Sequence, residues 1–165
     1  MTMAKKEKKR TKIKFLVLDV DWVLTDGGMY YSESGDEFKK FNTKDGLGIK
    51  KIMTVGVKVA FLSSGVNANL INNRAKLLGV RHVYVGTEEK MKIMEKWCTD
   101  LNISLANIAY IGDDENDLKV MDKVGLSACP ADAVAAVKKS ADVHLLKKGG
   151  EGCVREFIER FIMAI

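Results

Sequence analysis

Asp19 and Asp21 stand two residues apart at the end of the apolar run Ile13-Lys14-Phe15-Leu16-Val17-Leu18. Side chains alternate along an extended strand, so the two carboxylates point the same way, with the backbone carbonyl of Val20 or Asp21 nearby. Two crowded acids need a counter-charge, and a divalent cation that prefers oxygen ligands supplies one. Ser63-Ser64-Gly65 follows another apolar run, Lys90 falls in the first turn of a helical stretch, and Gly112-Asp113-Asp114-Glu115-Asn116-Asp117 follows Ala109-Tyr110-Ile111. Each has an ordinary structural reading. Asp-x-Asp occurs in loops, Gly-Asp-Asp-x-x-Asp makes a turn and a helix cap, a serine pair caps a helix, and a helical lysine is solvated. All four in this order, each after a strand or at a helix start, point to chemistry on a phosphate group at one edge of a sheet.

Such chemistry divides the residues by role. Asp113 is a third carboxylate for the cation, beside Asp19 and Asp21. Mg²⁺ takes six oxygens and keeps some water, so two carboxylates, one carbonyl and a substrate oxygen make a plausible shell. Asp114 and Asp117 hold Lys90 or orient the ligands. Ser63 or Ser64 donates to a phosphate oxygen, and Lys90 neutralises charge developing on the phosphoryl group. Asp19 is the nucleophile that forms an aspartyl-phosphate. Asp21 protonates the leaving alkoxide and later takes a proton from the attacking water.

The elements that must position these groups alternate between short apolar runs and longer amphipathic segments, the pattern of a mostly parallel sheet flanked by helices. Strands are expected at Lys14–Asp19, Val57–Leu62, Arg81–Val85, Ile108–Ile111, Leu126–Ala128 and Val143–Leu146. Helices are expected at Gly46–Val55, Asn67–Leu78, Glu88–Leu101, Asp117–Val124, Ala133–Ser140 and Gly152–Ile162, with Gly79 closing the second. Met29–Asn42 reads as a hairpin turning at Glu33-Ser34-Gly35-Asp36. At 165 residues, 47% apolar and 30% charged, the chain is sized for one domain, expected over residues 13–165.

The net charge of +5 is local. Residues 1–14 hold seven Lys or Arg and one acid, leaving 20 basic and 21 acidic residues in the remainder. Residues 1–12 are expected to be a basic, solvated, disordered leader; a weak anion or nucleic-acid tether is the other reading of the arm. No apolar h-region follows it, so it is not a secretory signal. No run approaches the ~18 apolar residues of a membrane span. The rest of the chain has no basic-aromatic stripe or finger spacing for nucleic acid. Cys98, Cys129 and Cys153 form no CxxC, and their odd number fits reduced thiols in the cytoplasm.

Asp19-Val20-Asp21, the Ser63/Ser64 site, Lys90 and the Gly112–Asp117 stretch together resemble the four motifs of haloacid dehalogenase superfamily phosphatases. Leu24-Thr25-Asp26-Gly27-Gly28, Phe41-Asn42-Thr43-Lys44-Asp45-Gly46 and Gly149-Gly150-Glu151-Gly152-Cys153-Val154-Arg155-Glu156 are similar to the small branch that includes 3-deoxy-D-manno-octulosonate 8-phosphate phosphatases. The likeness covers about residues 13–162. It implies an α/β, Rossmann-like parallel sheet flanked by helices, no cap domain, a projecting β-hairpin, Mg²⁺, and a homotetramer whose hairpins (about residues 29–42) help close neighbouring sites. The substrate implied is a phosphorylated sugar acid, the eight-carbon 8-phosphate first. A nine-carbon ulosonate 9-phosphate is the alternative, and so is a weakened enzyme serving as a structural subunit. A receiver domain uses similar groups, but its phosphoacceptor sits on a middle strand, whereas the leading pair here ends strand one.

Three departures stand out. Trp22 occupies a position where the branch has Gly; either the indole narrows the mouth and forces an ordinary φ, or the backbone adapts. Ser63-Ser64-Gly65-Val66 carries an apparent one-residue insertion and no charge after it; strand register favours Ser63 as the motif residue, while Ser64 and Gly65 line the phosphate. The chain also stops soon after its last helix, without the longer tail of some relatives. Arg74 does match, and is a candidate substrate contact across a subunit interface.

Overall fold

The computed structural model describes residues 12–163; apart from Lys12, the basic leader lies outside the described residues. Along the chain run β1 (Phe15–Leu18), a hairpin of β2 (Tyr30–Tyr31) and β3 (Glu37–Phe38), α1 (Thr43–Thr54), β4 (Lys58–Ser63) and α2 (Ala68–Leu78). There follow β5 (His82–Val85), α3 (Lys90–Leu101), β6 (Ile108–Ile111), α4 (Leu118–Lys123), β7 (Leu126–Cys129), α5 (Ala135–Ser140), β8 (Val143–His144) and α6 (Cys153–Phe157).

Six strands pair in parallel in the order β5-β4-β1-β6-β7-β8. The chain runs outward from β1 to β4 and β5, then returns to β6 on the other flank of β1. That reversal opens a crevice at the carboxyl ends of β1 and β6, where open α/β sheets bind ligands. Leu18 of β1 is level with Ile111 of β6 and with Phe61 of β4, so the residues that follow these strands emerge together. β1 is buried along its whole length, as a central strand covered on both faces must be. Leu16 and Leu18 pack in a core with Ile49, Ile52 and Phe157. Phe15 and Val17 face the opposite core with Met94, Tyr110 and Val120.

Boundaries differ from the sequence expectations where a side chain intervenes. α1 starts at Thr43 rather than Gly46, because the Asn42 side chain accepts a hydrogen bond from the Lys44 N–H and begins the helix earlier. The final helix breaks into α6 and a π-helical turn over Ile158–Ile162. The hairpin pairs Tyr30 with Phe38 and Tyr31 with Glu37, turns through Gly35 at φ +88°, and is joined to the body by a bridge between Thr25 and Phe41. Tyr30, Tyr31 and Phe38 are exposed on it.

Candidate active site

Asp19 is the first residue after β1, and its N–H donates to the Ile111 carbonyl of β6 at 3.0 Å, which locks the turn to its neighbour strand. Asp113 lies two residues beyond β6, across the crevice. Asp117 sits beneath both, fully buried, and all four of its acceptor positions are taken. Oδ1 accepts from the Tyr110 hydroxyl at 2.6 Å and from Lys90 Nζ at 2.7 Å; Oδ2 accepts from the N–H groups of Asp113 and Asp114 at 2.9 and 3.3 Å. A carboxylate offers about four lone pairs, so Asp117 is a structural anchor rather than a free ligand. Gly112 allows this packing, since a Cβ there would lie 2.5 Å from the Asp117 carboxylate. Asp114 accepts from the Glu115 N–H at 2.7 Å and caps the short 3₁₀ turn Glu115–Asp117. Lys90 opens α3 and is buried; its ammonium bridges Asp117 and Asp19 Oδ1, the latter at 2.6 Å.

Carboxylate oxygens of Asp19, Asp113 and Asp117 all lie within 4.8 Å of one another. Ionised, these three acids against one ammonium leave an excess of two negative charges, which one divalent cation would balance. Without that counter-charge, burial pushes the Asp19 carboxyl above its ordinary range, reinforced by the Asp117 charge and opposed by Lys90. Burial and then the Asp19 and Asp117 charges push Asp113 up in the same direction. Burial alone would weaken the Lys90 ammonium, but Asp19 and Asp117 outweigh it and hold the group protonated. The donor set is all oxygen, which suits a hard cation. With Asp117 saturated, Asp19 and Asp113 are the carboxylates free to hold it.

Asp21 does not join that group. Its Oδ1 accepts from Lys39 Nζ at 2.7 Å, and Lys39 also meets Glu37 Oε1 at 3.1 Å. The Asp21 carboxylate, expected as a cation ligand beside Asp19 and Asp113, lies outside that cluster and pairs with the hairpin. Ser63 is the last residue of β4 and buried, and its Oγ accepts from the Gly65 N–H at 3.0 Å. Ser64 is exposed and accepts from Asn116 Nδ2 at 3.2 Å. A Cβ on Gly65 would lie 3.1 Å from Ser63 Oγ and 3.6 Å from Asp21 Oδ2, so this glycine faces the gap between the two side chains.

Trp22 keeps a left-handed backbone at φ +62°, so the indole does not force an ordinary φ; the backbone conformation that favours glycine persists. The ring lies across Gly27, where an added Cβ would come within 2.0 Å of it. Arg74 is engaged inside its own chain: it donates to the Asn42 carbonyl at 3.3 Å, and its guanidinium lies 5.3 Å from the Phe41 ring centre.

Three participants escape sequence reading. Glu37 on β3 and Lys39 just after it lie two apart in an extended stretch, but nothing local shows them turned toward Asp21. Tyr110 sits in an apolar run as a core residue would; the only signal is that a buried hydroxyl needs a partner.

A model of the haloacid dehalogenase-like hydrolase family matches residues 29–158. The chain is 40% identical over 156 residues to the 3-deoxy-D-manno-octulosonate 8-phosphate phosphatase KdsC of Escherichia coli (strain K12), covering 94% of this chain and 82% of that protein. It matches the crystal structure of the 3-deoxy-D-manno-octulosonate 8-phosphate phosphatase from Yersinia pestis with a TM-score of 0.89 at 38% identity, over 92% of this chain and 82% of the other. The corresponding enzyme from Moraxella catarrhalis, solved in complex with a magnesium ion, a phosphate ion and a KDO molecule, matches with a TM-score of 0.87 at 33% identity, over 92% and 87%.

Proposed function

The chain belongs to the haloacid dehalogenase-like hydrolases, and from that premise we propose how its residues hydrolyse 3-deoxy-D-manno-octulosonate 8-phosphate. It is a Mg²⁺-dependent phosphoric monoester hydrolase. The observation that carries the residue assignments is the buried Asp19–Lys90–Asp117 chain with Asp113 beside it, in the crevice between β1 and β6.

Asp19, Asp113 and the Asp21 carbonyl would hold Mg²⁺, which when bound supplies the positive charge that lets a phosphoryl group share the site with carboxylates. Asp19 attacks phosphorus through the oxygen that Lys90 does not hold. The ester bond breaks with its electron pair on the sugar oxygen, and protonated Asp21 gives that oxygen its proton, releasing the alcohol. Asp21, now a carboxylate, takes a proton from water as the water oxygen attacks the aspartyl-phosphate; Asp19 leaves as a carboxylate and phosphate departs. Ser63 donates to a phosphate oxygen, joined by the Ser64–Gly65 loop, and Lys90 offsets the charge on the transferring group. Asp114 and Asp117 hold the loop and Lys90 in place.

The same reading takes residues 13–165 as one catalytic domain, cytoplasmic, in a homotetramer. Exposed Met29, Tyr30, Tyr31 and Phe38 on and beside the hairpin support that assembly, and light scattering in solution tests it: a monomer overturns both the tetramer and a substrate contact by Arg74 from a neighbour. Among the described residues the cysteines are unbridged, and no helix is long and apolar enough to cross a membrane.

Phosphate release with Mg²⁺ from a panel of sugar phosphates, for wild type and Asp19→Asn, tests the function. The octulosonate 8-phosphate is expected to lead the panel, with Asp19→Asn inactive. A nine-carbon 9-phosphate better by more than about tenfold in kcat/KM, roughly 1.4 kcal/mol of transition-state binding, overturns the substrate. Equal inertness of both proteins overturns the catalytic reading.

A further inference from the structure

Lys39 occupies a position that the hydrolytic scheme above leaves without work. It follows β3 at the base of the hairpin, its side chain is 10% exposed, and its ammonium sits between Asp21 Oδ1 at 2.7 Å and Glu37 Oε1 at 3.1 Å. The hairpin base is itself fixed to the body by the Thr25–Phe41 bridge, so the ammonium is delivered by a backbone that cannot drift freely. A lysine could bury its stem and leave its head in water; this one turns its head inward onto two acids. The consequence for Asp21 is an asymmetry between its oxygens. Oδ1 is tied to Lys39, while Oδ2 faces the Ser63–Gly65 loop, lying 3.6 Å from where a Gly65 Cβ would stand.

We propose that Lys39, backed by Glu37, is a positioning residue for the proton-transfer step: it grips Asp21 Oδ1 so that Oδ2 is the atom that carries the proton to the leaving oxygen and receives it from water. This rests on the assignment of Asp21 as general acid and base. In the first half-reaction the P–O bond breaks toward the sugar oxygen, which takes the Oδ2 proton and leaves as an alcohol. In the second, water gives one proton to Oδ2 and its hydroxide to phosphorus, restoring the protonated acid. Lys39 keeps its own protons throughout. A carboxylate on a short, 41% exposed side chain can otherwise present either oxygen, and misaimed proton transfer loses part of the about 10²–10⁴-fold that such transfer contributes.

A structural lysine and a positioning lysine differ in how they depend on the leaving group. An alkoxide needs a proton as it departs, whereas p-nitrophenolate leaves well without one. Single-turnover kinetics with Mg²⁺ and enzyme in excess, read as release of the sugar alcohol or of p-nitrophenolate and so reporting the first half-reaction alone, are measured for wild type, Lys39→Met, Lys39→Arg, Asp21→Asn and the Asp21→Asn/Lys39→Met double variant, on the sugar-acid phosphate and on p-nitrophenyl phosphate. Lys39→Met is expected to lower the saturating single-turnover rate on the sugar-acid phosphate at least about tenfold and on the aryl ester less than about threefold, with the half-saturating concentration little changed. Lys39→Arg is expected to restore most of the loss, and Lys39→Met to cost nothing further when Asp21 is already Asn. Equal losses of the single-turnover rate on both esters, a rise in the half-saturating concentration alone, or full additivity in the double variant overturns the proposal while leaving the acid–base reading intact. Asp21→Asn losing both esters equally overturns that reading, and the proposal with it.

Discussion

Asp19 and Asp21 are separated by one residue, yet the side chain of the first is 10% exposed and that of the second 41%. Asp19 belongs to a floor assembled from β1, β6 and the start of α3, where Lys90 ties it to a fully hydrogen-bonded Asp117. Asp21 belongs to a mouth assembled from a hairpin and loops, where a single lysine holds it. Loss of one member of the floor strands buried charge on all the others. Loss of Lys39 from the mouth leaves Asp21 partly in water. The floor is therefore a place where function and stability are tied together, and the mouth is where function can vary with little change in stability.

Lys90→Met against Lys39→Met is the sharpest way to break that distinction. Removing Lys90 leaves Asp19 and Asp117 buried without their ammonium and is expected to cost about 3–5 kcal/mol in denaturant titrations without metal. Removing Lys39 leaves Asp21 partly solvated but Glu37 only 10% exposed, and is expected to cost about 1–2 kcal/mol. Similar costs for the two would dissolve the contrast between floor and mouth.

The brace behind the mouth gives the next effect. Asp45 in α1 accepts from the Arg155 N–H of α6 at 2.7 Å, and Asn42 donates to the Gly150 carbonyl at 3.1 Å. The loop they hold donates from the Gly150 N–H to the Val23 carbonyl, in the turn after Asp21. Asp45 is 1% exposed, its Oδ2 has no hydrogen-bond partner, and burial pushes its carboxyl from 3.8 to about 6 against the helix N–H groups that lower it. Between those pH values the folded protein holds a proton that the unfolded chain has released, so this group's contribution to stability falls as pH rises through the window. Asn at position 45 does not titrate. Asp45→Asn is therefore expected to gain on wild type by on the order of 2–3 kcal/mol between pH 4 and pH 7, read as the pH dependence of the difference in unfolding free energy. A difference that stays flat over that range would show that the brace is not strained by its charge.

Trp22→Gly is expected to have the smallest effect. Glycine relieves a left-handed backbone that costs an indole-bearing residue about 1–2 kcal/mol, and it gives up the cover over Gly27. Melting should move little, with kcat on the sugar-acid phosphate within about threefold of wild type. A rise of tenfold or more would place the indole in the path of the substrate.

Most of the floor was legible in sequence because its parts are punctuated by core strands. An apolar run that must pair in the middle of a sheet has little freedom in register, so Asp19, Ser63 and Asp113 emerge where those runs end. Lys90 was legible as a cation at a helix start within reach of Asp117, and its direct ion pair with Asp19 was not. Arg74 read as a candidate contact for a neighbour's site, and that it lies over Phe41 and on the Asn42 carbonyl, where α2 meets the start of α1, was not legible. Asp21 was legible as sharing a face with Asp19, and its pairing with a lysine 18 residues away was not.

What the sequence determined by itself, then, is the alternation of strands and helices, the end of the sheet at which chemistry collects, and the residue types gathered there. These follow from local periodicity and from the short reach of strand ends. Only the tertiary structure decided which carboxylates gather within reach of one another, which oxygen of Asp21 faces the Ser63–Gly65 loop, and that Trp22 keeps a backbone conformation suited to glycine. Those outcomes depend on side chains brought together across β1, β6, α3 and the hairpin, and no spacing along the chain encodes such contacts.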